Sequence, residues 1–504
     1  LLLILAPQPS DGVAVNAFNT GSRLAAPNIR RQDIGESKPQ DIFPNRRDAE
    51  AAYQRAVARR PRDPQPWRHL GDLYTTWGRP NDAVDAYGQA LLRDDQPSAL
   101  DRRLAQLFGN LGDSRLAAHH WTKYLARSPD DRGARLSLAL AAIQLADWNS
   151  ARAELEQLLA DDPTDTLIHT WLGLLLSGPD PLTAMEHLER ANDDPAVVDL
   201  LAPMLTAQRL SVAVDDPAYR LALQGVALLN LDVSTLQKLT ELNLGEHNLV
   251  DENTLTNAVT TLALRSLLAA VYGNPAYADA YAYLGQTLDQ LGWSDWAQAA
   301  LGYALELAPQ SPVVQTLVGL YWDRHGSPAV ARKYFEGAYV QDQDNASLCL
   351  EIATTYLAEG EYTAAEVWLL YAVEIAPDDA LVWEALTQYY VDLGIDVDES
   401  GLAAVNRLVE LAPNDARAHD LMGRAYFLIR EDVLARTSLD QALALDPGLA
   451  SAHYHLGRLN ARQGRYAEAA LNFQRAADYE IEGQLAIQIE RARDELPQTF
   501  RDDP

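Results

Sequence analysis

One spacing constrains this chain more than any other feature: the same few residues return every 34 positions along most of its 504 residues. Trp67-x-x-Leu70-Gly71-x-x-Tyr74, followed by Ala83, Tyr87 and Ala90, comes back as Tyr281-x-x-Leu284-Gly285-x-x-Leu288, followed by Ala297, Leu301, Ala304 and Pro309. The register steps from Ala278 to Pro312, Ala346 and Ala380, slips by two, and resumes from Ala416 to Ala450. In the N-terminal half the units start at Pro64, Ser98 and Arg132. Apolar residues at unit positions 4, 7 and 11, then 20, 24 and 27, keep helical i, i+3, i+4 spacing in two blocks, which predicts two helices per unit. One such pair cannot bury its apolar faces alone, so neighbouring pairs must stack.

Glycine or alanine at positions 8, 20 and 27 lets the paired backbones approach closely. A larger side chain there overpacks, at about 1–3 kcal/mol. Proline at position 32 (Pro129, Pro163, Pro309, Pro377, Pro413, Pro447) ends the second helix because it has no N–H for the ladder. Gly112, Gly292, Gly360 and Gly464 mark the turn between the helices, where a C-terminal cap favours glycine.

These residues at these spacings resemble the tetratricopeptide repeat, a pair of antiparallel helices, over most of the chain. The resemblance implies an all-α superhelical solenoid of about twelve helix pairs, with an extended N-terminal segment and a C-terminal capping helix. Residues 1–45 hold an apolar start and a Pro/Gly-punctuated linker. Residues 46–195 are N-terminal units: 47–60 reads as a lone second helix, and the unit from Thr166 is shortened around 178–181. Residues 196–277 stay helical but lose the signature, with room for two diverged pairs, one closing at Asn274-Pro275. Residues 278–483 are C-terminal units with an insertion at 395–401, and 484–504 are a capping helix (484–495) and tail.

A net charge of −30 argues against binding nucleic acid or anionic lipid over the whole surface. The charge is uneven: residues 21–70 hold eleven basic and six acidic side chains, so a basic neck precedes an acidic body. Cys349 is the single cysteine, which excludes an internal disulfide, a CxxC pair and a Cys-rich zinc site. The run 1–6 (LLLILA) is too short to span a bilayer, which takes about 20 residues, but it reads as the end of a signal-peptide core or an anchor. No other stretch reads as long and apolar enough to cross one. The expected location is extracytoplasmic, membrane-anchored or at the cell surface, with the cytoplasm as alternative.

No phosphate-binding glycine loop, nucleophile elbow or HExxH is present. His169, His419 and His453 fall on position 4, where Trp67, Tyr281 and Trp383 stand in other units, so that position is read as a packing site. The adjacent His119 and His120 diverge on a helix, and the pairs Asp161-Asp162 and Asp378-Asp379 lie in turns, where they cap helices. No active site, metal site or cofactor is therefore expected.

Binding is what remains. The resemblance implies that first helices line a concave groove and that positions 2, 5, 9, 12 and 13 point into it. There Asp279, Gln286, Asp289, Glu384 and Gln388 make the middle acidic and amide-rich. Arg417, Arg424, Phe427, Tyr454, Arg458 and Arg462 make the end rich in arginine and aromatics. Arginine beside aromatics suits an acidic or carboxylate-ended peptide, unless the arginines merely pair with neighbouring carboxylates. The Lys/Asn clamp of chaperone-binding repeats is not matched: positions 5 and 9 read Arg68/Asp72, Arg102/Gln106 and Leu136/Leu140. The expected function is a non-enzymatic scaffold holding other proteins or peptides in its groove, with no nucleic acid partner, and with a membrane tether or self-association left to the N-terminal segment. The alternative is a structural subunit of an extracellular homopolymer or filament.

Overall fold

The computed structural model describes residues 46–498, apart from 94–97, 196, 214, 246–247 and 481–484. The apolar start and linker expected at 1–45 lie outside the described residues, as does Gln484. Among the described residues there are 26 α-helices, one π-helical turn and no strand. The all-α repeat architecture is as expected. Eleven helix pairs account for 22 of the helices, one pair fewer than the spacing predicts. The chain forms two compact units, one within 31–377 and one from 378 onward.

The first unit opens with the lone helix Arg46–Arg59 and four pairs: Pro64–Thr76 with Pro80–Leu91, Ser98–Asn110 with Ser114–Leu125, Arg132–Gln144 with Trp148–Asp161, and Thr166–Leu176 with Pro181–Ala191. Val198–Ala213, Pro217–Leu229, Val233–Leu244 and Glu252–Gly273 follow. Three regular pairs close it: Ala278–Gln290 with Ser294–Leu307, Pro312–Arg324 with Pro328–Gln341, and Ala346–Ala358 with Tyr362–Ile375. The second unit holds Ala380–Leu393 with Leu402–Leu411, Ala416–Leu428 with Asp432–Leu445, Ala450–Arg462 with Tyr466–Tyr479, and a last helix, Ala486–Asp494.

Three residue-level devices build each pair. The position-8 glycine is where the helices touch: a Cβ on Gly285 would lie 2.6 Å from Leu301 Cγ, and one on Gly423 would lie 2.7 Å from Leu439 Cγ. The turn between the helices needs a left-handed residue, supplied by Gly112 (φ 76°), Gly292 (φ 76°) and Gly464 (φ 75°), but by Ala146 (φ 57°) and Arg430 (φ 69°) at the same place in their units. Aspartates start many helices: Asp131 accepts from Ala134 N, Asp165 from Ile168 N and Asp379 from Leu381 N. Asp162 instead holds its own turn, accepting from Thr164 N and Oγ1.

Position 4 does more than pack. His169, His419 and His453 donate from Nε2 to the carbonyls of Pro163, Pro413 and Pro447 at 3.0, 2.9 and 3.1 Å. Arg135 and Gln315 reach Pro129 and Pro309 in the same way, at 2.6 and 2.8 Å. Proline at position 32 ends one unit, and its free carbonyl is tied by position 4 of the next. Cys349 at this position is fully buried, and burial pushes its thiol up to about 11.

Of the two diverged pairs expected in 196–277, the one closing at Asn274-Pro275 is present and the other is not. Pro217–Leu229 pairs with Glu252–Gly273, skipping Val233–Leu244. The pair carries the usual signature: a Cβ on Gly225 would lie 2.6 Å from Leu267 Cγ and 3.4 Å from the Ala263 carbonyl oxygen. Twelve residues separate the equivalent Gly285 and Ala297, but 38 separate Gly225 and Ala263, so one unit has been split by an insertion of 26 residues. Glu252–Gly273 is also a correction on membrane-spanning length: at 22 residues it is long and apolar enough to cross a bilayer by composition. It is packed instead in a core cluster with Leu136, Leu140, Leu172 and Trp171. The second insertion, 395–401, becomes the π-helical turn Val397–Gly401, closed by Gly401 N–H donating to the Asp396 carbonyl at 2.9 Å.

Candidate functional site

The second unit contains a groove of about 1060 Å³ built on three consecutive first helices and closed at one end by the last helix. Ala380–Leu393 contributes Glu384, Gln388 and Asp392; Ala416–Leu428 contributes Arg417, Asp420, Arg424 and Phe427. Ala450–Arg462 contributes Tyr454, His455 and Arg458, and Tyr479, Leu485 and Gln488 complete the end wall. These side chains share a face because unit positions 2, 5, 9 and 12 point away from the partner helix while 7, 8 and 11 point toward it.

The four arginines read from the sequence have different fates. Arg424 is paired with Asp392 at 2.5 Å. Arg462 does not line the groove: it stacks 3.6 Å from the Phe427 ring, donates to the Phe427 carbonyl at 2.7 Å and pairs with Asp432. It holds Phe427 in place from behind, and burial pulls its guanidinium below the usual arginine range. Arg458 donates to the Tyr454 hydroxyl at 2.9 Å and sits 6.0 Å from the Phe427 ring, without a carboxylate partner among the described residues. Arg417 is exposed and likewise makes no side-chain ion pair among the described residues. Expected pairing with neighbouring carboxylates thus accounts for Arg424 and Arg462, and leaves two cations open.

The same groove also carries acidic side chains. Glu384 is half-buried; burial raises its pKa, Asp415 adds to this, and Arg417 works against it. Gln388 donates to Glu384 at 3.2 Å. Asp420 is buried and held by His455 Nδ1 at 2.8 Å. The structure therefore brings Glu384 and Gln388 into one groove with Arg417, Arg424, Phe427, Tyr454 and Arg458.

Asp279, Gln286 and Asp289 belong to the first unit and do not line this groove. Asp279 accepts from Ser311 Oγ at 3.0 Å, and Asp289 is held by Arg324 and His325, both at 2.8 Å. Both carboxylates are engaged within the repeats; Gln286 is half-buried. Asp392, Asp420 and His455 were not read from the sequence as site residues. Asp392 and Asp420 stand at positions 13 and 5, so the same rule reaches them; His455 at position 6 is reached only through its bond to Asp420. Among the described residues no group of three or more His, Cys, Asp or Glu side chains could hold a metal ion.

Two family models described as tetratricopeptide repeat match this chain, one at residues 111–175 and 324–389, the other at 45–99 and 434–482. No curated protein matches it. Similar solved structures include yeast Tom70, 18% identical, covering 88% of this chain and 97% of that one at a TM-score of 0.37. A tetratricopeptide repeat protein from Parabacteroides merdae is 14% identical, covering 52% and 98% at a TM-score of 0.38. YrrB, described as having an unusual peptide-binding site, is 22% identical, covering 38% and 96% at a TM-score of 0.32.

Proposed function

We propose that this chain, a tetratricopeptide-repeat protein, is a non-enzymatic scaffold that holds an acidic-ended peptide segment of a partner protein in the groove that runs from Glu384 to Arg458, Leu485 and Gln488. The observation that carries this reading is the pair Arg417 and Arg458, two groove cations that make no close side-chain ion pair among the described residues, Arg417 feeling Glu384 only at longer range. A ligand carboxylate there gains charge-assisted hydrogen bonds, and Phe427 and Tyr454 offer aromatic area of the kind that anchors interfaces. The acidic Glu384 and Asp392 repel a uniformly acidic chain, so the ligand carries its acid at one end and neutral or basic residues elsewhere.

The test is a pull-down from native extract followed by titration of the captured segment as a labelled peptide. Arg417→Glu with Arg458→Glu is expected to weaken binding by about tenfold or more, since each charge-assisted bond contributes about 1.5–3 kcal/mol. Arg407→Gln, outside the groove, is expected to change nothing. Undiminished capture of every partner by the double variant overturns the reading.

We infer further that the same scaffold works outside the cytoplasm, held near a membrane or a neighbouring subunit by the segment that includes residues 1–45. Support comes from the apolar run 1–6, the basic neck at 21–70 and an acidic body that an anionic surface repels. Fractionation decides it: native full-length protein found wholly in the soluble cytoplasm rejects the placement.

A further inference from the structure

Two first helices of the first unit, Arg132–Gln144 and Thr166–Leu176, do not present an open groove face of this kind. In neither is any residue exposed, including Leu136, Leu140, Thr170 and Leu174 at positions 5 and 9. Position 2 is buried there too, as Gly133 and Leu167, whereas Arg417 at position 2 and Arg458 at position 9 are open to solvent in the second unit. Helices closed to solvent all round need cover on the side away from their partner helix: the forward part of Glu252–Gly273 lies against Arg132–Gln144, and the inserted helix Val233–Leu244 lies against Thr166–Leu176. The inserted helix is amphipathic: Leu236, Leu239, Thr240 and Leu244 are buried, while Ser234, Lys238 and Leu242 face solvent. Leu236, Leu239 and Leu244 join the cluster of Leu140, Leu172 and Leu175, and Asn243 donates to Asp165 at 3.2 Å. The forward extension of Glu252–Gly273 continues the cover, with the Thr254 carbonyl accepting from Gln144 at 2.9 Å across 110 residues of sequence.

We propose that the insertion carries an in-cis helical ligand: the helix Val233–Leu244 occupies an apolar, helix-accepting face centred on the first helix Thr166–Leu176 and keeps that face closed to outside partners. The signature pairing of Pro217–Leu229 with Glu252–Gly273 is complete without the inserted helix, as Gly225 against Leu267 shows. The helix is thus an addition to the repeat rather than part of its frame. Its chemistry also defines what the face takes: an amphipathic helix with leucines at i, i+3 and i+8 and a polar group able to reach Asp165.

The test replaces residues 231–250 with a flexible Gly/Ser linker in the full chain and titrates a labelled synthetic peptide of residues 230–251. A face occupied in cis is open only a small fraction of the time, which lowers apparent affinity by that fraction. The linker variant is therefore expected to bind the peptide about tenfold or more tightly than the unaltered protein does. Equal binding by both, or none by a folded variant, overturns the proposal. In a second variant, protease sites flank the helix so that it is cut out of the folded protein. The excised helix is expected to co-elute with the remainder and to be displaced by excess peptide; loss of helicity on cutting, or co-elution that excess peptide never reverses, marks it as frame and overturns the proposal.

Discussion

At the scale of single residues, the repeat shows its tolerances at two kinds of position. Ala146 and Arg430 hold left-handed backbone where other units use glycine, a conformation that costs a residue with a Cβ about 1–2 kcal/mol. Ala146→Gly and Arg430→Gly are each expected to raise stability in urea unfolding by about 1 kcal/mol. Gly423→Ala, which forces a Cβ against Leu439, is expected to lower it by about 1–3 kcal/mol. Protonation gives a third readout. Burial lowers the pKa of His120, against the pull of Asp101, and burial followed by His169 lowers that of His187. The unfolded chain then binds protons that the folded chain does not, so stability is full above the ordinary histidine value near 6.5 and falls as pH drops below it. Urea midpoints measured from pH 7.5 down to 6 are expected to decline, and His120→Asn with His187→Asn to flatten the decline; an unchanged slope rejects the assignment. Position 4 also shows where sequence reading stops. Trp, Tyr and His recurring there are legible as packing, but the bond to the preceding proline carbonyl depends on a turn that only the folded backbone sets.

At the scale of elements, the last helix is the clearest case. Ile489, Ala492 and Leu496 join Tyr454 and Phe473 in one cluster with Leu485 against it, so the helix covers the final pair as a solenoid end requires. Ile487, which the helical pattern also offers for burial, faces solvent at 55% exposure, and Leu456 belongs to a separate cluster with Leu439 and Leu459. Ile489→Asp is therefore expected to destabilise the protein and Ile487→Asp to leave it unchanged. Truncation after residue 480 is expected to expose the Phe473 cluster and drive association, visible as a rise in mass by light scattering. A truncated protein that stays monomeric and equally stable refutes the capping role. The split unit was illegible for a different reason. Gly225, Ala263, Leu267, Ala270 and Pro275 are all in the sequence, but a 34-residue window cannot join a glycine to an alanine 38 residues on. Helix periodicity was readable there and pairing was not, because pairing is a statement about which apolar faces meet.

At the scale of the whole molecule, stacked repeats gain stability chiefly from neighbour interfaces, so a single cooperative transition is not expected for 504 residues in two compact units. The all-α repeat was legible because its signature recurs, and each recurrence confirms the others. The groove was half legible: positions 2, 5, 9 and 12 named most of its lining, but whether an arginine is open or engaged depends on its neighbours across the stack, as Arg458 and Arg462 show. Charge supplies the last prediction. A net −30, its excess carried by the acidic body rather than the basic neck, opposes compaction, and salt screens such repulsion over about 8 Å at physiological ionic strength. Raising sodium chloride from low to physiological levels is therefore expected to raise the melting temperature. Binding of an acidic-ended peptide at Arg417 and Arg458 is an attraction between opposite charges, so the same salt is expected to weaken it. The two responses have opposite signs in one titration, which separates the surface field from the groove. A melting temperature that falls with salt means that local pairs such as Arg407–Asp378 outweigh the net repulsion. Peptide binding indifferent to salt means that Phe427 and Tyr454, not the arginines, carry the contact.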